Sequence, residues 1–137
     1  MIRKIVMVLA AGVLMSLASM SFADVAVPTS GRFFELRTYH CHPGRLDALN
    51  KRFREHTNAL FVKHGIELVG YWMPTDKPDT LIYILAYPSK DAREKSWKEF
   101  QADPDWIKAK AESEKDAPIV AKVDSVYMTP TDYSPIK

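Results

Sequence analysis

Cysteine is nearly absent, with Cys41 the only one among 137 residues. An intrachain disulfide framework and the Cys-rich zinc modules are therefore excluded, since both need several sulfurs. Glycine is scarce as well: there are five, none of them grouped. The glycine-rich loops that cradle nucleotide phosphates have no counterpart here, and no Ser-His-Asp order, dinucleotide fingerprint or paired-carboxylate motif can be read. An excess of one charge sign is also missing. Nineteen Lys and Arg face seventeen Asp and Glu, whereas a nucleic-acid binder carries a clustered basic excess. No apolar run reaches the roughly 20 residues of a spanning helix, which excludes a stable membrane anchor. What remains is a composition of 47% hydrophobic and 26% charged residues, that of one ordinary globular domain.

The N-terminus carries a separate message. Met1-Ile2-Arg3-Lys4 is a short basic start, an apolar run follows from Ile5 to Ala18, and Ser21-Phe22-Ala23 places small residues before Asp24. These are the three parts of a secretory signal peptide, so residues 1–23 are expected to be removed near Ala23, leaving a periplasmic or secreted chain. Arg3 and Lys4 are the only charges in that segment, so residues 24–137 balance at seventeen basic and seventeen acidic groups. In an oxidising compartment the lone Cys41 is either buried and inert or bridges two chains.

Residues 24–32 read as a flexible leader with Pro28, Ser30 and Gly31. From Phe33 to His40 residues alternate as in a strand, with Phe33, Glu35, Arg37 and Tyr39 on one face. Between Arg45 and His64, Leu46, Leu49, Phe53, His56 and Leu60 recur in steps of three and four, which predicts a helix with one buried stripe, closed by Gly65. Ile66 to Met73 is a second strand. Thr80 to Tyr87 is a third, apolar on both faces. Ser89 is the expected N-cap of a helix bearing Arg93, Trp97 and Phe100, and Asp103-Pro104 restarts a helical segment to about Lys115. Lys122 to Met128 is the last strand, and a tail follows.

This β-α-β-β-α-β order is the ferredoxin-like arrangement of an α+β domain, placed at residues 33–130 with a tail at 131–137. Helices cover one face of such a sheet. The two-sided apolarity of Leu81-Ile82-Tyr83-Ile84-Leu85 therefore calls for a second cover, most simply a partner's sheet in a homodimer.

Several blocks resemble NIPSNAP-family domains. They are Phe34-Glu35-Leu36-Arg37-Thr38-Tyr39 with Pro43-Gly44, then His64-Gly65-Ile66 leading into Gly70-Tyr71-Trp72. Leu85-Ala86-Tyr87-Pro88-Ser89, Asp103-Pro104-Asp105-Trp106 and the ending from Thr129 to Pro135 follow in order. The resemblance implies a dimeric α/β barrel, in which two ferredoxin-like protomers pack sheet to sheet. It transfers a fold more securely than a reaction. His40-Cys41-His42 departs from the family pattern.

Candidate site residues fall into two groups. His40 and His42 flank one residue and form a weak metal-chelating pair, short of the three or four ligands that zinc takes; His56 is a conceivable third. His56, Tyr39, Tyr71, Trp72, Tyr83 and Trp97 are candidates for a pocket between helix and sheet, with His56 as its acid/base group. The plainer reading makes the aromatics core and the histidines hydrogen-bonded core residues. Glu35 and Arg37 read more simply as an ion pair at the sheet edge than as a ligand anchor. Three functions follow: a dimeric binder of a small hydrophobic or aromatic molecule, a cofactor-independent monooxygenase-like enzyme, or a structural and protein-interaction module. None calls for a cofactor, and whether the chain is an enzyme stays open.

Overall fold

β1 (Phe33–Cys41) is the longest-range organiser of the chain, because it pairs along its length with two other strands. It runs antiparallel to β3 (Thr80–Tyr87) on one side and to β4 (Val120–Met128) on the other. β2 (Glu67–Trp72) closes the sheet against β3, giving the order β2-β3-β1-β4. This computed structural model describes residues 31–137; the expected signal peptide and residues 24–30 of the leader lie outside the described residues. Among the described residues no helix is long and apolar enough to cross a membrane.

The helices lie on one face. The first helical segment is α1 (Leu46–Arg52), a π-helical turn (Phe53–Thr57) and α2 (Asn58–Lys63). Gly65 ends it at φ +74°, a left-handed conformation that costs glycine nothing. α3 (Lys90–Ala102) starts at Ser89, whose hydroxyl accepts from the Ala92 N–H. α4 (Pro104–Ser113) starts at Asp103, which accepts from the Asp105 N–H. The Asp103 carboxylate also takes hydrogen bonds from Lys63 at 2.8 Å and His64 at 2.7 Å, so one cap ties the end of α2 to the start of α4. These bonds hold its carboxyl well below the usual range.

Alternation along the strands sorts the sheet into two faces. Toward the helices point Glu35, Arg37 and Tyr39 of β1 and Leu81, Tyr83, Leu85 and Tyr87 of β3. The β3 residues join Leu49, Phe53, Phe61, Trp97 and Phe100 in the core. Toward the other side point Leu36, Ile82, Ile84 and Val126, paired across the strands. The tail folds over one end of that second face, where Pro130 and Ile136 border a small hollow with Phe34, Val69 and Met128. The chain is thus α+β and ferredoxin-like, with the strand bounds close to those the sequence pattern predicts.

Two expectations are corrected. β1 is central rather than peripheral, so Glu35 and Arg37 do not sit at the sheet edge: Glu35 is 0% exposed. The first helix also does not bury His56. Its π turn holds an extra residue, so the buried row runs Leu49, Phe53, Thr57 and Phe61 in steps of four, with Arg52 and Leu60 buried beside it. His56 is rotated out and Thr57 takes its place, its hydroxyl donating to the Arg52 carbonyl at 3.3 Å. Accordingly, His56→Ala should change the unfolding free energy by less than about 0.5 kcal/mol. Thr57→Asp, which buries an unpaired charge, should cost several kcal/mol. Denaturant titration of both variants checks the assignment.

Candidate functional site

Glu35 is the centre of a buried polar network between β1, β3 and α3. Its Oε1 accepts from Arg37 Nη1 at 2.6 Å and Arg93 Nη2 at 2.9 Å. Its Oε2 accepts from Arg93 Nε at 3.0 Å, the Tyr87 hydroxyl at 3.1 Å and Trp97 Nε1 at 3.2 Å. Burial alone would push this carboxyl up; the Arg93 hydrogen bonds, with the charge and hydrogen bond of Arg37, outweigh it and hold the carboxyl below its usual range. Burial and the neighbouring Glu35 charge push the Tyr87 hydroxyl up, so it stays a neutral donor.

Arg37 carries the network to the surface of a cavity. Its Nε donates to the Tyr83 hydroxyl at 2.9 Å and its Nη1 to Ser125 Oγ at 3.2 Å. Its guanidinium lies over the Trp97 ring, 4.3 Å from the centroid. Burial works against its charge, but the Tyr83 and Tyr39 hydroxyls and Glu35 raise its pKa further above the ordinary guanidinium range. Tyr83 is itself held neutral, first by burial and then by Tyr39.

Above Arg37, between the sheet and the helices, lies a cavity of about 780 Å³. Tyr39, Phe53, Phe61, Trp97, Phe100 and Trp106 supply its aromatic lining. The exposed Ile107 and Val123 line it too and form its mouth. A second hollow of about 440 Å³ shares Arg37, Trp97 and Gln101 with it and is bordered by Arg93 and Lys98. The arrangement suits a flat apolar molecule gripped by aromatic rings, with fixed cations beside it.

The candidate residues divide on inspection. Tyr39 and Trp97 line the cavity, and Tyr83 is buried beneath it, in edge contact with Tyr39 at 5.2 Å. Tyr71 lies behind, stacked on Tyr83 at 5.4 Å and donating to Asn58 Oδ1. Trp72 is on the opposite face of the sheet, its indole lying against Gly70, where a side chain would collide with it. His56 stands on the outer surface beside Glu55, in a shallow groove with Ala59 and Lys108.

The two other candidate histidines, His40 and His42, are also apart. His40 pairs with Asp124 at 2.9 Å, and His42 lies in the turn beyond a register break at His40/Cys41, so they do not share a strand face. Among the described residues no group of three or more His, Cys, Asp and Glu could hold a metal ion. Cys41 is half-buried, and burial followed by Asp79 pushes its thiol up.

Arg52, Arg93, Phe53, Phe100 and Trp106 escaped the sequence reading as site residues. A signal was present: an arginine interrupting an apolar helical stripe, as Arg93 does four residues before Trp97, either snorkels or meets a buried acid. Glu35→Gln should cost about 3–5 kcal/mol, because two guanidiniums lose their shared counter-charge. The folded carboxyl titrates below the ordinary 4.5, so its stabilisation is complete above that pH and is lost as pH falls through the lower folded value. The variant should lack that part of the acid destabilisation in urea titrations run between about pH 3 and 7.

Comparison with known proteins fits this geometry. The profile of the NIPSNAP family matches residues 34–135. A NIPSNAP family protein of unknown function from Agrobacterium tumefaciens is 27% identical, with 78% of this chain and 95% of that one covered at a TM-score of 0.69. An uncharacterized NIPSNAP-like domain protein from Burkholderia xenovorans superposes with a TM-score of 0.68 at 18% identity, over 77% of this chain and 90% of the other. A cofactor-independent oxygenase from Streptomyces nogalater shares the fold more distantly, at 16% identity and a TM-score of 0.54, over 77% and 99% of the two chains. Among curated proteins none matches. With the family profile running from the second residue of β1 into the tail, over residues 34–135, the chain belongs to the NIPSNAP family.

Proposed function

We propose that the protein is exported, forms a homodimer and binds a small apolar, aromatic molecule in the cavity between its sheet and helices. One observation carries the binding reading: a cavity of about 780 Å³, walled by aromatic rings, opens beside a half-buried and fully charged Arg37. Volumes of this order suit a small ligand. Trp97 in its wall and Arg37 beside it are held by hydrogen bonds to Glu35 and to the Tyr83 hydroxyl beneath. Side chains held in this way spare the ligand the cost of ordering them.

Export rests on the basic, apolar and small-residue pattern of residues 1–23. The homodimer rests on the second sheet face, where Leu36, Ile82, Ile84 and Val126 form an apolar surface that no helix among the described residues covers. The tail borders its Phe34 end and reaches as far as Ile84, so Leu36, Ile82 and Val126 are the part it leaves open. An oxygenase reading needs a proton acceptor in the cavity. His56 is not there, which leaves the Tyr39 hydroxyl and the Glu114 carboxylate of its lining.

Native mass spectrometry of the mature chain should find a small molecule retained per protomer. Ala111→Trp, which fills the cavity from α4, should abolish that added mass while the fold persists; a wild-type chain that retains nothing and binds no aromatic probe contradicts the reading. Sizing should give about twice the protomer mass, and Val126→Glu, at an exposed position of that face, should convert it to monomer. A monomeric wild type would remove the dimer alone.

A further inference from the structure

Arg52 is the unexplained group of the cavity wall. Its side chain is 3% exposed, yet among the described residues its Nε has no hydrogen-bond partner. Its bonds to Ser113 Oγ and Glu114 Oε1, both 3.2 Å, leave from Nη1 alone. Leaving a buried N–H of a charged group unpaired is costly, so such a group marks the place of an absent acceptor. Its guanidinium lies 5.3 Å from the Trp106 ring centroid, as that of Arg37 lies over Trp97, and all four residues line the same cavity. A guanidinium stacked on an indole keeps its edge free to take a carboxylate in bidentate fashion.

The charges agree. Three cations line the cavity, Arg37, Arg52 and Lys110, against one carboxylate, Glu114. Beneath the floor Arg37 and Arg93 share Glu35, and Arg93 also meets the exposed Glu94 at 3.3 Å, so those charges balance and the excess is that of the cavity lining itself. Residues 24–137 as a whole are neutral, which makes this local excess a property of the site. Aromatic walls around fixed cations reject a bare inorganic anion, which would gain nothing from the rings, and a neutral apolar molecule would leave the Arg52 N–H unpaired.

We infer that the ligand is an aromatic carboxylate, its ring system against Tyr39, Trp106 and Ile107 and its acidic group on Arg52 and Arg37. This rests on the binding reading above. The test uses an anionic and a neutral dye of the same aromatic body, 8-anilinonaphthalene-1-sulfonate and N-phenyl-1-naphthylamine, titrated by fluorescence into the mature protein. The anionic dye should bind about tenfold more tightly, and added NaCl should shrink the difference. Unlabelled 2-naphthoate should displace it, and 2-naphthamide should not. Arg52→Gln should weaken the anionic dye about tenfold and the neutral one less than about twofold, while Arg52→Lys should keep most of the preference. If Arg52→Gln does not fold, Lys110→Gln at the exposed rim should still cost the anionic dye a few-fold. Equal affinity of the wild type for both dyes, or equal loss of both in Arg52→Gln, overturns the acid-binding inference while leaving the cavity reading intact. Binding of neither dye overturns both.

Discussion

The helix-facing side of this fold depends on one buried carboxylate. Glu35 lies in the central strand beneath α3 with no exposure, and an uncompensated charge there would be untenable. Five hydrogen bonds from β1, β3 and α3 compensate it, and each donor is thereby fixed in place. Arg93 anchors α3, Trp97 is turned to face Arg37, and Tyr87 is held neutral. A hydrophobic residue at this position would pack as well, but it would leave Arg37 and Trp97 free to adopt other rotamers. Buried ion pairs are weak evidence for stability and better evidence for specificity of arrangement. Here the arrangement specified is the floor of a cavity.

The cavity itself comes from the first helical segment. Had it been regular, its stripe would have followed the 3.6-residue period and closed on the sheet with His56 inward. The π turn at Phe53–Thr57 spends a residue to shift that phase, so Phe53 and Phe61 both reach the sheet side. Arg52, immediately before the turn, stays buried in the wall with Trp106 of α4. Aromatic rings and guanidiniums thus alternate around the site, an environment suited to a planar acid.

Much of the architecture was legible in the sequence, because strand and helix periods are local properties. The third strand matches its pattern at both ends, the caps at Ser89 and Asp103 are where side-chain chemistry puts them, and Gly65 closes the first helical segment. The site was less legible. Tyr71 and Trp72 are neighbours on one strand and so face opposite sides of the sheet; only Tyr71 can look toward the helices. The Glu35–Arg37 pair shares a face by alternation, yet whether that strand is central or peripheral depends on pairing order, which no local pattern carries. Nothing in the composition of Phe53 to Thr57 announces a π turn, and one extra residue there was enough to exchange His56 for Thr57.

The three tryptophans of the chain stand at three informative places, two in the cavity wall and one on the far face of the sheet. Their indole N–H resonances therefore report where a ligand sits. On titration of the mature, isotope-labelled protein with 2-naphthoate, the account predicts that the Trp97 and Trp106 signals move together with one binding constant while the Trp72 signal stays still. Movement of Trp72 with Trp97 and Trp106 unchanged would place the ligand on the other face and contradict the account.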